Sequence, residues 1–178
     1  MKKILLLALL FVSVDASAQN ASQSYIEKFK DQAIRVMHQT GVPASIVLAI
    51  AMHESANGNS ALAKNLNNQF GMKGYGLVFY KRRKKTVSTS YKKYDSPEES
   101  FDDFARIMTE KTKFSALADK LTHYDYLGWA HGIQKAGYAS SRKWAAQVLN
   151  LVTKYQLNTL DESPDNTQSG ALVAAGAN

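Results

Sequence analysis

The chain has 178 residues, 45% of them hydrophobic and 21% charged, which is the size of one domain and apolar enough to bury a core without covalent staples. It contains no cysteine, which excludes disulfides, thiolate metal sites and a lipid-modified N-terminal cysteine, so stability must come from packing. The formal net charge of +7 suits a polyanionic partner, whether nucleic acid, membrane surface or cell wall, and does not choose among them.

The first residues read as a secretory signal. Lys2 and Lys3 open it, an apolar run follows from Ile4 to Val14, and Ala16-Ser17-Ala18 supplies the small-residue cleavage pattern. The cut is expected after Ala18, giving a signal peptide over 1–18. The run is too short to span a bilayer, and no other segment approaches the roughly 20 apolar residues a span needs. The protein is therefore expected to be exported, to periplasm or extracellular space, with no membrane span.

Ser24-Tyr-Ile-Glu27 fits a capping box and predicts the start of a first helix, with Ile26, Phe29, Ala33 and Met37 on one face and Gly41 as its stop. Pro43 suits the first turn of a second helix. That helix is apolar nearly all round from Ile46 to Met52, the pattern of a buried helix, and it ends at Glu54. Ser60 to Lys64 adds one more turn.

Leu77–Tyr80 and Thr86–Tyr91 are rich in β-formers and flank Lys81-Arg-Arg-Lys-Lys85, which predicts a hairpin with a basic tip. Ser96-Pro-Glu-Glu99 combines an N-cap, a proline at the first helical position and a glutamate two residues on, with Phe101, Phe104 and Met108 as the inward stripe. Thr122-His-Tyr-Asp125 reads as another capping box for a helix reaching Gly137. A last helix follows Ser140 or Ser141, with Trp144, Val148, Leu151 and Tyr155 on one face. After Asp161 the composition turns polar and then small, so 162–178 are expected to be a disordered tail. The fold class is mainly α (α+β), one domain over 19–161 with a small β-hairpin lobe.

Glu54 is the residue that carries most information. No other acid follows it until Asp95. A lone carboxyl at the end of an apolar helix, beside the negative pole of the helix dipole, has its charged form penalised. A carboxyl kept protonated can act as a general acid, the role that glycosidases require. A helix-end glutamate reaching out to water is the alternative reading. The four histidines, His38, His53, His123 and His131, are dispersed without metal-ligand spacing, so no metal and no cofactor is implied. His53 neighbours Glu54 in sequence, yet consecutive helix residues point about 100° apart.

The ordered blocks Gly41-Val-Pro-Ala-Ser45, Leu48 to Ser55, Asn67-Asn-Gln-Phe-Gly-Met-Lys-Gly74, Tyr91 to Asp103 and Gly137-Tyr-Ala-Ser140 resemble the endo-β-N-acetylglucosaminidase family of peptidoglycan hydrolases. The resemblance covers Tyr25 to Asp161. It implies a lysozyme-like fold, a helical lobe and a small β-lobe with a glycan cleft between them, and peptidoglycan glycan strands as the partner of a monomer. It implies Glu54 as the catalytic acid and Tyr138 as the cleft tyrosine, able to hydrogen-bond the substrate's acetamido group. Asn68 and Phe70 match the block lining the floor below Glu54 and are the implied substrate-binding pair; the amide of Asn68 has either sugar or backbone open to it, and bracing the loop is the other reading of both.

Two positions depart from the family pattern. The second acid that the family commonly carries in its β-lobe is missing, since every residue from Ser55 to Tyr94 is non-acidic, and Ala56-Asn57-Gly58 replaces the usual tryptophan-bearing turn. Three routes then remain: attack by the substrate's own acetamido group, water assisted by a distant acid such as Asp95, or a lytic transglycosylase in which one glutamate serves as acid and base. A wall-binding module without catalysis is the reading from another class. The basic tip is either a solvated turn or a dock for the peptide carboxylates of the wall, and no groove-reading motif accompanies it to favour nucleic acid.

Overall fold

The computed structural model describes residues 2–161, with side chains from Gln19 onward; the tail expected over 162–178 lies outside the described residues. Seven α-helices and one antiparallel hairpin follow each other in the order α1 (Lys2–Thr40), α2 (Ala44–Ser55), α3 (Ala61–Leu66), β1 (Lys73–Arg82), β2 (Lys85–Tyr91), α4 (Pro97–Glu110), α5 (Thr112–Ala118), α6 (Tyr126–Lys135) and α7 (Trp144–Tyr155), closed by a 3₁₀ turn over Leu157–Leu160. The helical lobe with one small hairpin is the architecture expected.

Helix α2 is the axis of that lobe. Every residue from Ala44 to Met52 is buried, and α1, α6, α7 and the closing 3₁₀ turn pack around it. Burial of Ile46, Leu48, Ile50 and Met52 contributes roughly 1.5–3 kcal/mol each. Pro43 sits at the N-cap rather than inside the first turn, and it has no side chain with which to cap. The carboxylate of Asp161 fills that role from the far end of the domain: Ser45 donates its backbone N–H to Oδ1 at 2.8 Å and its hydroxyl to Oδ2.

Two expected helix starts are corrected. Ser24 does not cap α1, which runs through it from Lys2; no glycine or proline stands upstream of it to break the helix, so the local capping pattern is overridden. Ser22, one turn after Ala18, is instead buried and accepts from Asn57 Nδ2 at 2.9 Å. Helix α6 is capped by Asp125, which accepts from Gly128 N, and not by Thr122, whose carbonyl takes the indole N–H of Trp129. The start of α4, the extra turn from Ser60 and the stop of α1 stand as expected. Ser96 accepts from Glu99 N with Pro97 in the first turn of α4, Ser60 accepts from Ala63 N at α3, and Gly41 ends α1 at φ +76°. Helix α5 was not anticipated, because its seven residues carry neither a cap nor a clear stripe.

In the hairpin Arg82 pairs with Lys85, Lys81 with Thr86, Tyr80 with Val87, Phe79 with Ser88 and Val78 with Thr89, leaving Arg83-Lys84 as the two-residue turn. Arg83 takes the left-handed conformation that such a turn demands, at φ +56°. Extra residues of β1 bulge out between Lys73 and Val78. The hairpin base is tied to α4 through Asp103, which accepts from Lys92 Nζ at 2.8 Å, Tyr94 Oη at 2.6 Å and Arg106. Burial works against the Asp103 charge, yet these donors outweigh it and hold the carboxyl below its ordinary value.

Candidate active site

A cleft of about 530 Å³ opens between the C-terminal end of α2, the hairpin base and the segment joining α6 to α7. Glu54, Phe70, Lys73, Tyr91, Tyr138 and Trp144 are among its lining residues. Glu54 is the single acidic side chain on that lining, which also carries Lys73, Lys111 and Lys113. An acid in such a setting faces no like charge across the cleft.

The chain after Glu54 turns abruptly. Ala56, Asn57 and Gly58 all have positive φ, and Ser55 Oγ accepts from Gly58 N at 2.8 Å to hold the turn. This stops α2 one residue beyond the glutamate and leaves its side chain half-buried at the cleft wall. Trp144, at the first turn of α7, donates its indole N–H to Oε1 of Glu54 at 2.8 Å. An indole can only donate, so Oε1 is the acceptor, and because the carbonyl oxygen of a carboxyl is the better acceptor this arrangement favours Oε2 as the site of a proton. Oε2 faces Gly71, where an added Cβ would lie 3.6 Å away; the glycine, at φ +64°, leaves room in front of that oxygen.

Tyr138 stands beside this pair. Its ring lies 5.2 Å from that of Trp144, and its hydroxyl donates to the carbonyl of Phe70 at 3.1 Å. Burial, with a smaller electrostatic contribution from Glu54, pushes the Tyr138 phenol well above its ordinary range, so it remains protonated. With its proton spent on Phe70, the oxygen presents lone pairs to the cleft.

The two floor residues divide differently. Phe70 borders the cleft, but its ring is 2% exposed, stacked on Phe104 at 4.5 Å and edge-on to Phe101 at 4.8 Å. Asn68 is buried and does not border the cleft. Its Nδ2 donates to the carbonyls of Met72 and Lys92, and its Oδ1 accepts from Met72 N, all at 2.9 Å. These bonds tie the floor loop to the exit of β2. Asp95 is exposed and absent from the cleft lining; its backbone is held by Glu99 and Asn67. His53 borders the cleft, and among the described residues no three of His, Asp and Glu gather as a metal set.

Residues 30–157 match the family model described as mannosyl-glycoprotein endo-beta-N-acetylglucosaminidase. The chain belongs to the glucosaminidase family, a family of glycoside hydrolases. It is 29% identical over 175 residues to the exo-glucosaminidase LytG of Bacillus subtilis, covering 92% of this chain and 62% of that protein. It is 24% identical over 166 residues to the peptidoglycan hydrolase FlgJ of Vibrio cholerae, covering 85% and 49%. The glucosaminidase chain thus spans about half to three fifths of the length of these relatives. Its fold is similar to the glycoside hydrolase domain of Salmonella typhimurium FlgJ, with TM-score 0.60 at 23% identity over 86% of this chain and 98% of that one. The catalytic domain of the Listeria monocytogenes autolysin Auto is similar too, with TM-score 0.61 at 23% identity over 79% and 87%.

Sequence reasoning missed Trp144 as a residue of this cleft. It stands on the inward stripe of α7, where an indole reads as core. Its position seven residues after Gly137-Tyr138-Ala139-Ser140 begins was the available signal, since that block already pointed to the cleft. Lys111 and Lys113, at the N-cap and in the first turn of the unexpected α5, gave no such signal.

Proposed function

We propose that this protein is an exported peptidoglycan hydrolase that cleaves the β-1,4 bond after N-acetylglucosamine, with Glu54 as general acid. The observation that carries the reading is a single carboxyl on the cleft wall, fixed through Oε1 by Trp144 and free at Oε2. Oε2 protonates the leaving glycosidic oxygen. The anomeric carbon then needs an electron pair from the opposite side, and no second acid borders the cleft to provide it. The acetamido carbonyl of the substrate supplies that pair, closing a five-membered ring, a recognised alternative to the two-carboxylate scheme. The Tyr138 oxygen accepts from the acetamido N–H, which orients the group and steadies the positive charge that builds on it. Water then opens the ring, with the Glu54 carboxylate taking its proton. Phe70 and Asn68 shape the floor, Phe70 by carrying the carbonyl that orients Tyr138 and Asn68 by bracing the loop.

Peptidoglycan as substrate is supported by the similarity to the peptidoglycan hydrolase FlgJ and by the lysines on the cleft lining, which complement the carboxylates of wall peptides. Export is supported by the basic start, apolar run and Ala16-Ser17-Ala18 pattern. Among the described residues no helix is long and apolar enough to cross a membrane. A lytic transglycosylase is the second reading, favoured by the same single acid. Mass spectrometry of fragments released from purified sacculi tests both. Reducing N-acetylglucosamine ends support the proposal, 1,6-anhydro-muramic ends identify the transglycosylase, and binding without any released fragment leaves a wall-binding module.

A further inference from the structure

We propose that the β1–β2 hairpin docks flat on the surface of an anionic phospholipid bilayer, a role separate from cleavage in the Glu54 cleft.

Three large apolar side chains at alternate positions of β1 are open to solvent: Tyr75 completely, Leu77 at 68% and Phe79 at 65% exposure. None of them borders the cleft that holds Glu54. Beside them stand Lys81, Arg82, Arg83, Lys84 and Lys85, all exposed. None of these five takes part in an ion pair with a described acid, and the one bond from this group is Lys81 Nζ to Thr86 Oγ1 at 2.8 Å. No acidic residue occurs anywhere from Ser55 to Tyr94, so nothing on the hairpin offsets its charge. Phe79 faces away from the half-buried side formed by Val78, Tyr80, Val87 and Thr89, and Gly76 opens onto free space. The hairpin therefore projects an apolar ridge and a cationic end in one continuous element.

The combination selects the occupant. The charge alone complements any polyanion, including the wall. A glycan polymer could stack on the rings of Tyr75 and Phe79 but has no apolar phase to receive Leu77, whereas a bilayer offers acidic headgroups above and an acyl phase beneath for all three. Laid flat, the strand places Leu77 and Phe79 at the headgroup–acyl boundary, leaves Tyr75 with its hydroxyl at the polar level, and lets the lysine and arginine stems reach up to the phosphates. Isolated exposed apolar residues are ordinary, but a contiguous ridge beside a charge cluster marks an interaction site.

Vesicle co-sedimentation with the full chain tests this, comparing phosphatidylglycerol–phosphatidylethanolamine vesicles, neutral phosphatidylcholine vesicles and purified sacculi. Residues 1–18 are common to all variants, so differences between variants isolate the hairpin. Arg83→Asn with Lys84→Ser should lower partitioning onto anionic vesicles about 25-fold at low salt, since each basic residue near such a surface is worth about fivefold. The difference should shrink as salt rises and be absent on neutral vesicles. Leu77→Ser with Phe79→Ser should lower anionic-vesicle binding by at least about tenfold, even if the two side chains are only partly buried at the interface, while leaving sacculus binding at the wild-type level. Thermal unfolding should be unchanged in both, and the single Leu77→Ser variant carries the test if the double one melts early. Anionic-vesicle binding equal to wild type in the apolar variants overturns the proposal, as does an equal loss on sacculi, which would make the hairpin a wall dock. Sacculus cleavage by the hairpin variants reads the Glu54 function independently, so failure of one reading leaves the other standing.

Discussion

Trp144 and Glu54 lie 90 residues apart in the chain and meet through one hydrogen bond, indole N–H to Oε1 at 2.8 Å. The bond makes the two carboxyl oxygens inequivalent, because a donor-only partner engages Oε1 as acceptor and leaves Oε2 the favoured site for a proton. It also joins α7 to the end of α2, so the orientation of the acid depends on the packing of the last helix.

Trp144→Phe is expected to lower kcat for sacculus digestion by about 10- to 100-fold with little change in KM. A carboxyl released from its partner samples unproductive rotamers, and small misplacements of a reacting group are costly. Steady-state kinetics on a soluble wall fragment, with circular dichroism to confirm folding, would reveal this. Equal changes in kcat and thermal stability, with the remaining folded enzyme fully active, would reduce Trp144 to a packing residue.

Glu54→Gln should abolish digestion while preserving the fold. Glutamine keeps an acceptor oxygen for Trp144, so the site geometry survives, but an amide cannot donate a proton to the leaving oxygen as an acid does. Positioned acid catalysis is worth roughly 10²–10⁴-fold. Asp95→Asn should lose far less, because Asp95 is absent from the cleft lining. Turbidity loss of sacculi, measured for both variants together, decides the matter. A deep loss in Asp95→Asn at normal stability would restore a two-acid mechanism.

These two acids illustrate what was legible in the sequence. Glu54 stood out because its surroundings are local: a run of apolar neighbours and a following turn. The cap at Ser96, the turn from Ser60 to Lys64, the hairpin and its basic tip were readable for the same reason, since each depends on residues a few positions apart. The Ser24 box misled because a local cap cannot interrupt a helix when no breaker precedes it. Trp144 and Asp161 escaped notice because their partners, Glu54 and Ser45, are 90 and 116 residues away. Asn68 was readable as either sugar ligand or brace, and only its three bonds within the loop and to Lys92 separate the two.

Tyr138→Phe should reduce activity about tenfold, less than Glu54→Gln, since it removes an orienting acceptor and not the acid. The ring would still fill its place beside Trp144, Phe104 and Phe114. If the acetamido group is the nucleophile, the variant's deficit should vanish on a substrate whose acetamide has been replaced by a free amine, because neither enzyme can then use that route. Comparing both enzymes on acetylated and deacetylated glycan measures this directly. An undiminished deficit on the deacetylated glycan would give Tyr138 a different role.

Asp103 sets an acid limit on stability. Its folded carboxyl is held below the ordinary value by Lys92, Tyr94 and Arg106 despite its burial, whereas in the unfolded chain it titrates near 3.9. The native state therefore binds fewer protons than the unfolded state in the window between the two values. The stabilisation is complete above the unfolded value and is lost as pH falls through the folded one. Asp103→Asn should remove this contribution and flatten the acid side of the stability profile, lowering stability at neutral pH by on the order of 1–3 kcal/mol through the weakened ties to Lys92 and Tyr94. Urea unfolding from pH 3 to pH 7 on both proteins measures the effect. Parallel profiles would show that the three donors do not stabilise the charged carboxyl, and that the hairpin base is held by the backbone bonds of Lys92 and Tyr94 to Met72 and Leu66 and by the amides of Asn68 and Asn67.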